Sequence, residues 1–344
     1  MSTETPKIQH AAGNTWCLDA GCSIPVCFLD ERTVVFLDSG YFDERTRPVL
    51  TAFLEDPHQL DPRLPDAPLS VRAVLTSHSH IDHVGSHIFL RDEYGAELIL
   101  PETEAALSHD TRMFSPVYGQ MAAKEIQKLM PYMIFQADRT FPETQETIDI
   151  DGPLFTQVPL PGHTPGHTGF VTPDDVLYVA DALMGPEIMS RAKMPTMWDI
   201  AEDLASKERL LKEHCASGPR DACDPVDTDD TSGAHAAYIL AHRGVWDSKG
   251  FRQLVQDNIA DRNRRTNDIM GWLTDSDELA GREDWTLEGI QHLLWTKLGL
   301  RTKNPLRQRI FGRNVFCIVN YLVQSGRLES VPTEGVVHYR PVAE

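Results

Sequence analysis

The stretch His78-Ser79-His80-Ile81-Asp82-His83 packs three imidazoles and a carboxylate into six residues, one residue after the apolar run Val71-Arg72-Ala73-Val74-Leu75-Thr76. That run has the β-branched character of a buried strand. The His-rich segment therefore falls at a strand's C-terminal end, the edge at which layered α/β folds place their sites. Side chains alternate along an extended segment, so His78 and His80 share a side and can grip one ion. From His83-Val84-Gly85-Ser86 onward the pattern reads as a helix beginning, and its N-terminus presents Asp82 and His83 to a second ion. Neutral imidazole with carboxylate is a ligand set for zinc and comparable first-row metals. We read the hexapeptide as half of a two-metal site.

Upstream, residues 23–29, the turn Asp30-Glu31-Arg32-Thr33 and residues 34–37 read as strand, turn, strand, ending in Asp38-Ser39-Gly40. Asp38 has two readings: a hydrogen-bond partner that steadies a metal-holding histidine, or a loop carboxylate capping a turn. Residues 41–70 are rich in Pro and Asp around a short helix at 47–55. Downstream come a strand at 97–100 closed by Pro101 and a helix starting at Glu102. Residues 109–140 carry Met113, Phe114, Tyr118, Met121, Met130, Tyr132, Met133 and Phe135, which read either as a lid or pocket wall or as ordinary core.

Strand patterns resume at 148–150 and 155–158 and lead into Pro159-Leu160-Pro161-Gly162-His163-Thr164-Pro165-Gly166-His167-Thr168. The prolines and glycines hold an irregular turn that fixes a histidine where regular structure does not reach. One of His163 and His167 is the expected third ligand of the first metal. Residues 169–172 and 176–181 then read as a hairpin of buried strands ending in Asp181, a carboxylate placed to bridge both ions.

The hexapeptide, the Pro-Gly-His-Thr-Pro-Gly-His turn and the strand ending in Asp181, in that order and at that spacing, resemble the metallo-β-lactamase fold superfamily. The resemblance runs from the hairpin with Leu37-Asp38-Ser39-Gly40 to His242-Arg243. It implies an α/β protein, a four-layer αββα sandwich. On its pattern His78, His80 and His163 hold the first metal, Asp82 and His83 the second, and Asp181 bridges. His167 then supports the site without binding metal. The second ion needs one more ligand, from the end of a strand after the helix at 199–214. His242, ending Ala237-Tyr238-Ile239-Leu240-Ala241-His242, takes that place, although members usually show Pro-Gly-His there. The competitor His235 precedes the apolar run instead of ending it.

Beyond residue 248 the resemblance to the catalytic fold ends. The chain divides into residues 1–248, metallo-β-lactamase-like, and 249–344, a mainly helical module. Helices are expected at 251–273, 286–298 and 304–324, then a hairpin at 327–339, the last helix and hairpin resembling those of a winged-helix module. Arg301, Lys303, Arg307, Arg309 and Arg313 form a basic run with no acidic residue among them. Such a run touches nucleic acid phosphates, forms a solvated face, or meets an acidic neighbour, either the hydrolase half or a second subunit.

Of 344 residues 41% are hydrophobic and 24% charged, ordinary for a soluble globular protein. The polar first dozen residues lack a signal core, and no stretch approaches the roughly 18 apolar residues of a membrane span. Six cysteines without a CxxC pattern fit reduced thiols, so a cytoplasmic location and no membrane association are expected. The net charge of −19 comes from the residues before 250, with 19 Lys and Arg against 39 Asp and Glu; beyond, the count is 13 against 12. That field disfavours a bulk polyanion. A small-molecule substrate is expected in place of nucleic acid, and the helical extension suits a homodimer.

Two ions side by side lower the pKa of a shared water, so the expected nucleophile is a metal-bridging hydroxide and no serine or cysteine is needed. Asp82 is the catalytic candidate, orienting that hydroxide as well as binding metal. Zinc is the expected metal, with iron or manganese as alternatives. The resemblance extends to the glyoxalase II and lactonase type, implying hydrolysis of a small thioester, ester or lactone. The other readings are a nuclease or phosphodiesterase of the same fold, a mononuclear iron enzyme like the persulfide dioxygenases, and a binding or sensing protein.

Overall fold

The structure, a computed structural model, describes residues 7–110, 128–215, 234–279 and 283–342. Four antiparallel strands open the chain: β1 (Lys7–Ala12), β2 (Thr15–Asp19), β3 (Ser23–Phe28) and β4 (Thr33–Leu37). After α1 (Arg47–Glu55), β5 (Ser70–Leu75) pairs parallel to β4. Helices α2 (Ile81–Val84) and α3 (His87–Tyr94) follow, then β6 (Glu97–Pro101), α4 (Glu102–His109), α5 (Met130–Met133) and β7 (Arg139–Phe141). The seven strands form one sheet in sequence order. Strands β2 to β6 are almost wholly apolar and buried on both faces, as a sheet between two layers requires.

The second sheet contains β8 (Thr147–Asp149), β9 (Leu154–Pro159), β10 (Thr168–Val171), β11 (Val176–Ala180), β12 (Ala237–Leu240) and β13 (Gly244–Trp246), ordered β13-β12-β11-β10-β9-β8. Strands β11 and β12 are parallel and the remaining pairs antiparallel. The two sheets face each other through one apolar cluster, in which Val35, Leu37, Leu75 and Ile99 meet Ile148, Phe155, Phe170 and Ile239. On the far side of the first sheet α1 and α3 contribute Leu50, Phe53 and Leu90. Beyond the second sheet lie α6 (Pro186–Arg191), α7 (Ile200–Glu213) and α8 (Ser248–Thr274), with Leu210, Phe251, Leu254 and Val255 on Leu177, Tyr238 and Leu240. The result is helix, sheet, sheet, helix: the expected αββα sandwich.

After α9 (Ser276–Leu279) the chain forms β14 (Trp285–Thr286), α10 (Leu287–Lys297), α11 (Pro305–Gln324), β15 (Leu328–Thr333) and β16 (Val336–Pro341). The helix pair followed by a hairpin is the order expected from the sequence, with β14 added to the hairpin's edge. This module has its own core, including Leu273, Ile290, Leu294, Val315, Val319 and Leu322. Helix α8 belongs to both parts. Its buried positions recur every three or four residues along one stripe, from Phe251 and Leu254 on the second sheet to Ile269 and Leu273 in the C-terminal core. The sequence boundary at 248/249 thus coincides with the start of a helix shared by two cores.

Some features differ from the sequence reading. The polar N-terminal residues include β1, an edge strand whose solvated positions leave no apolar run to read. The expected single helix after His83 begins at Ile81 and breaks at Gly85-Ser86. A Cβ on Gly85 would lie 2.5 Å from Ile81 O and 2.6 Å from Phe42 N, so the 41–42 loop approaches as only glycine permits. In the 109–140 segment, Met113, Phe114, Tyr118 and Met121 lie outside the described residues, and so do all of residues 217–233, which by sequence are a polar insertion before His242. Met133 and Phe135 are core, and Tyr132 stacks on Phe42 at 4.2 Å. Cys17, Cys22, Cys27, Cys215 and Cys317 are buried and unpaired. Among the described residues no helix is long and apolar enough to cross a membrane.

Candidate metal centre

The candidate residues gather at one end of the sandwich because parallel strands finish there together. Asp38 follows β4 and the 78–83 segment follows its parallel neighbour β5. Asp181 and His242 follow the parallel pair β11 and β12, and His163 lies in the turn between β9 and β10. Ala180 takes φ +47° where the β11–β12 register shifts, a left-handed turn that delivers Asp181 from the strand end. His235 lies at the opposite end of β12, 2.6 Å from Asp175.

Two groups of ligand atoms result: His78, His80 and His163 in one, and Asp82, His83, Asp181 and His242 in the other, each with its atoms within 4.8 Å of one another. In the first, His80 Nδ1 lies 3.0 Å from His78 Nε2 and 2.9 Å from His163 Nε2. Burial, helped by the neighbouring imidazoles, pushes His78 and His163 well below the ordinary histidine pKa, and burial brings His80 down to about 4. All three are therefore neutral and offer lone pairs.

The second group is electrostatically different. His242 Nε2 lies 3.4 Å from both Asp82 Oδ2 and Asp181 Oδ1. Burial opposes charge on His242, but Asp181 and Asp82 raise it to about 10. Burial likewise works to raise Asp82, yet His242 and His83 bring it down to about 2. His83 donates from Nδ1 to Asp38 Oδ2 at 2.7 Å, leaving Nε2 buried without a hydrogen-bond partner and 3.6 Å from Asp181 Oδ2. Converging neutral nitrogens, an orphaned buried Nε2 and two carboxylates set among imidazoles form a donor set that fits divalent cations.

Asp38 has φ +66° and accepts from Ser77 N, Ser77 Oγ and Tyr178 Oη, at 2.7, 2.6 and 2.6 Å, as well as from His83. His167 Nε2 accepts the Asp181 N–H at 3.3 Å and its ring lies 4.8 Å from that of His78, beside the two ligand groups and not within either. Glu104 escaped the sequence reading. Fully buried on α4, it accepts from Ser79 N and Oγ through Oε2 at 2.8 and 2.7 Å, and from Thr164 Oγ1 and Gly166 N through Oε1 at 2.7 and 2.9 Å. One carboxylate thus joins the loop carrying His78 and His80 to the turn carrying His163. Helix α7 braces that turn too, since Ser206 Oγ donates to Pro161 O at 2.8 Å.

A cavity of about 390 Å³ opens over Asp82, His163, Asp181 and His242, walled by Tyr41, Leu183, Met184 and Met197, with Lys207, Asn258 and Arg262 at its back. A second opening, of about 210 Å³, lies between His80, Asp82 and His163 and two residues of α11, Ile310 and Arg313. Of the basic run, Arg313 faces the metal-ligand candidates, while Arg301, Lys303, Arg307 and Arg309 are exposed. Meeting the acidic hydrolase half is the reading that fits Arg313.

Comparison with known proteins agrees with this architecture. Residues 21–221 match the metallo-beta-lactamase superfamily. Hydroxyacylglutathione hydrolase GloC of Haemophilus influenzae is 27% identical over 155 residues, 45% of this chain. The chain spans 63% of that relative's length. A metallo-beta-lactamase family protein from Thermus thermophilus has a TM-score of 0.60 at 16% identity, over 97% of both chains. A beta-lactamase domain protein from Burkholderia ambifaria has 0.61 at 17% identity, over 99% of this chain and 97% of that one. These two share the fold along nearly the whole chain, C-terminal module included. The superfamily match takes in more than half of the 344 residues and every candidate ligand except His242, and the chain belongs to the metallo-beta-lactamase superfamily.

Proposed function

We propose that this chain is a metal-dependent hydrolase that holds two divalent ions and cleaves a small-molecule thioester, ester or lactone. The observation that carries the proposal is the adjacency of two ligand groups, three histidines beside two carboxylates and two histidines, which meet where His163 Nε2 lies 3.5 Å from Asp181 Oδ2, with Asp82, His163, Asp181 and His242 lining one cavity. His78, His80 and His163 would hold one ion; Asp82, His83 and His242 would hold the other, with Asp181 between them. Zinc suits this set, as do iron and manganese. When bound, such ions lower the pKa of water and polarise the bond under attack.

The chain's own groups do the rest. Asp38 keeps the His83 proton on Nδ1, so that Nε2 is free as a donor. Asp82, the catalytic candidate, would stay ionised and orient the attacking water as a hydrogen-bond acceptor. Ile310 and Arg313 form one side of the second opening. The likeness to a hydroxyacylglutathione hydrolase supports acyl substrates. The buried, unpaired cysteines accord with a reducing, cytoplasmic setting. Against a nuclease, the ligand candidates all lie in the acidic part of the chain, whose charge disfavours a bulk polyanion.

The test is metal content per chain on protein purified without added metal, together with turnover of thioesters, a lactone and a phosphodiester. Two ions with acyl hydrolysis are expected. A single iron with oxygen consumption, or cleavage of the phosphodiester alone, would replace this reading.

A further inference from the structure

Lys207 and Arg262 are 3% and 6% exposed, and both line the cavity above the metal-ligand candidates. They come from separate helices, α7 and α8. Asp203, one turn before Lys207, accepts from Lys207 Nζ through Oδ1 and from Arg262 Nε through Oδ2 at 3.1 Å. Among the described residues Asp203 is the carboxylate recorded against both cations. The further recorded contact of the guanidinium is Nη2 to Met197 Sδ at 3.9 Å, a weak acceptor. Two cations thus share one carboxylate in a buried place.

A purely structural tie between α7 and α8 would not require this. Buried charge is costly unless matched, and apolar residues of similar volume often serve as well. The buried stripe of α8 is apolar at Leu254 and Val255 and again at Ile269 and Met270, becoming polar where it passes the cavity. Asn258 in that polar stretch is fully used: Nδ2 donates to Met184 O and Oδ1 accepts from Met184 N, both at 2.9 Å, clamping the loop after Asp181. Arg262, one turn on, is only partly used. Asp203 is itself fixed, because its backbone packs against Gly162, next to His163. The cation pair is therefore held in register with the candidate metal centre.

We propose that Lys207 and Arg262 bind an anionic group of the substrate, a carboxylate or phosphate, while the scissile acyl group lies over Asp82, Asp181 and His242. This rests on the acyl-hydrolase reading and narrows it: the substrate is an acyl compound with a negative charge away from the bond that is cleaved. The guanidinium plane suits a two-point contact with the anion's oxygens, and the ammonium supplies a point charge beside it. An acidic surface excludes large polyanions, yet this buried pair selects a small anion once it has entered.

The experiment uses the metal-loaded enzyme and three acyl thioesters that differ in one substituent on the thiol part: a carboxylate, its methyl ester, or a phosphate. The wild type should favour an anionic member over the methyl ester by about tenfold or more in kcat/KM. Whether carboxylate or phosphate is favoured identifies the anion. Lys207→Met and Arg262→Gln, with metal content matched to wild type, should bring that ratio towards one through KM, and Lys207→Arg should retain it. A wild type indifferent to the charge, or folded variants whose ratio is unchanged, would overturn the proposal. Calorimetric titration with succinate and with inorganic phosphate provides a readout independent of turnover. Weaker binding of either anion in Arg262→Gln, without acyl hydrolysis by any form, would sustain the anion site and reject the acyl-hydrolase reading. Acyl hydrolysis with identical anion binding in wild type and variant would reject the anion site alone.

Discussion

Asp38 Oδ2 lies 2.7 Å from His83 Nδ1, both groups are buried, and the carboxylate is held by Ser77 and Tyr178 as well. The imidazole is thereby oriented before any ion arrives. Asp38→Asn should weaken the second ion by about 10- to 100-fold. Competition with a coloured chelator measures this, and the first ion should be far less affected. Equal affinity for both ions before and after the substitution would remove Asp38 from the site.

Glu104 receives four hydrogen bonds from two loops. Glu104→Ala leaves those donors without their acceptor, at a cost of roughly 3 kcal/mol or more. Denaturant unfolding of the metal-free variant should show the loss, and metal analysis should show depletion of the ion bound by His78, His80 and His163. A wild-type midpoint with full metal content would mean that the loops hold themselves.

Gly162 has φ +132°, and a Cβ there would lie 2.4 Å from both N and Cα of Asp203. Neither backbone can yield cheaply, so Gly162→Ala should cost about 3 kcal/mol or more. Thermal unfolding measures that cost. A soluble, unperturbed variant would show that α7 is free to move away from the His163 turn.

The two histidines flanking β12 separate in a simple experiment. His242→Ala should take the metal content from two ions per chain towards one and remove activity. His235→Ala, at the strand's other end beside Asp175, should leave the metal content as it was. The reverse pattern would reassign the last ligand.

The motifs that announced the fold are local ones. The hexapeptide and the Pro161-Gly162-His163 turn can be read because ligand spacing and backbone punctuation occupy a few adjacent residues. Strands β3 to β6 and β8 to β12 could be placed from their apolar residues; the polar edge strand β1 and the three-residue β7 and β13 could not. Glu104 was invisible because its partners lie 25 to 62 residues away and its helix looks like any acidic surface helix. Lys207 and Arg262 were hidden for a related reason. A charged residue on an amphipathic helix ordinarily faces water, and only the packing of α7 against α8 turns these two inward. Arg313 belonged to a run whose direction depends on how α11 docks.

Helix α8 passes without interruption from the second sheet into the C-terminal core, carrying Asn258 and Arg262 midway. The metal-ligand candidates and Lys207 all precede it in sequence, whereas Asn258 and Arg262 lie on it, so the back of the cavity is encoded on both sides of Trp246. A chimaera joined there would take its metal ligands from one parent but would have to assemble its cation pair from both.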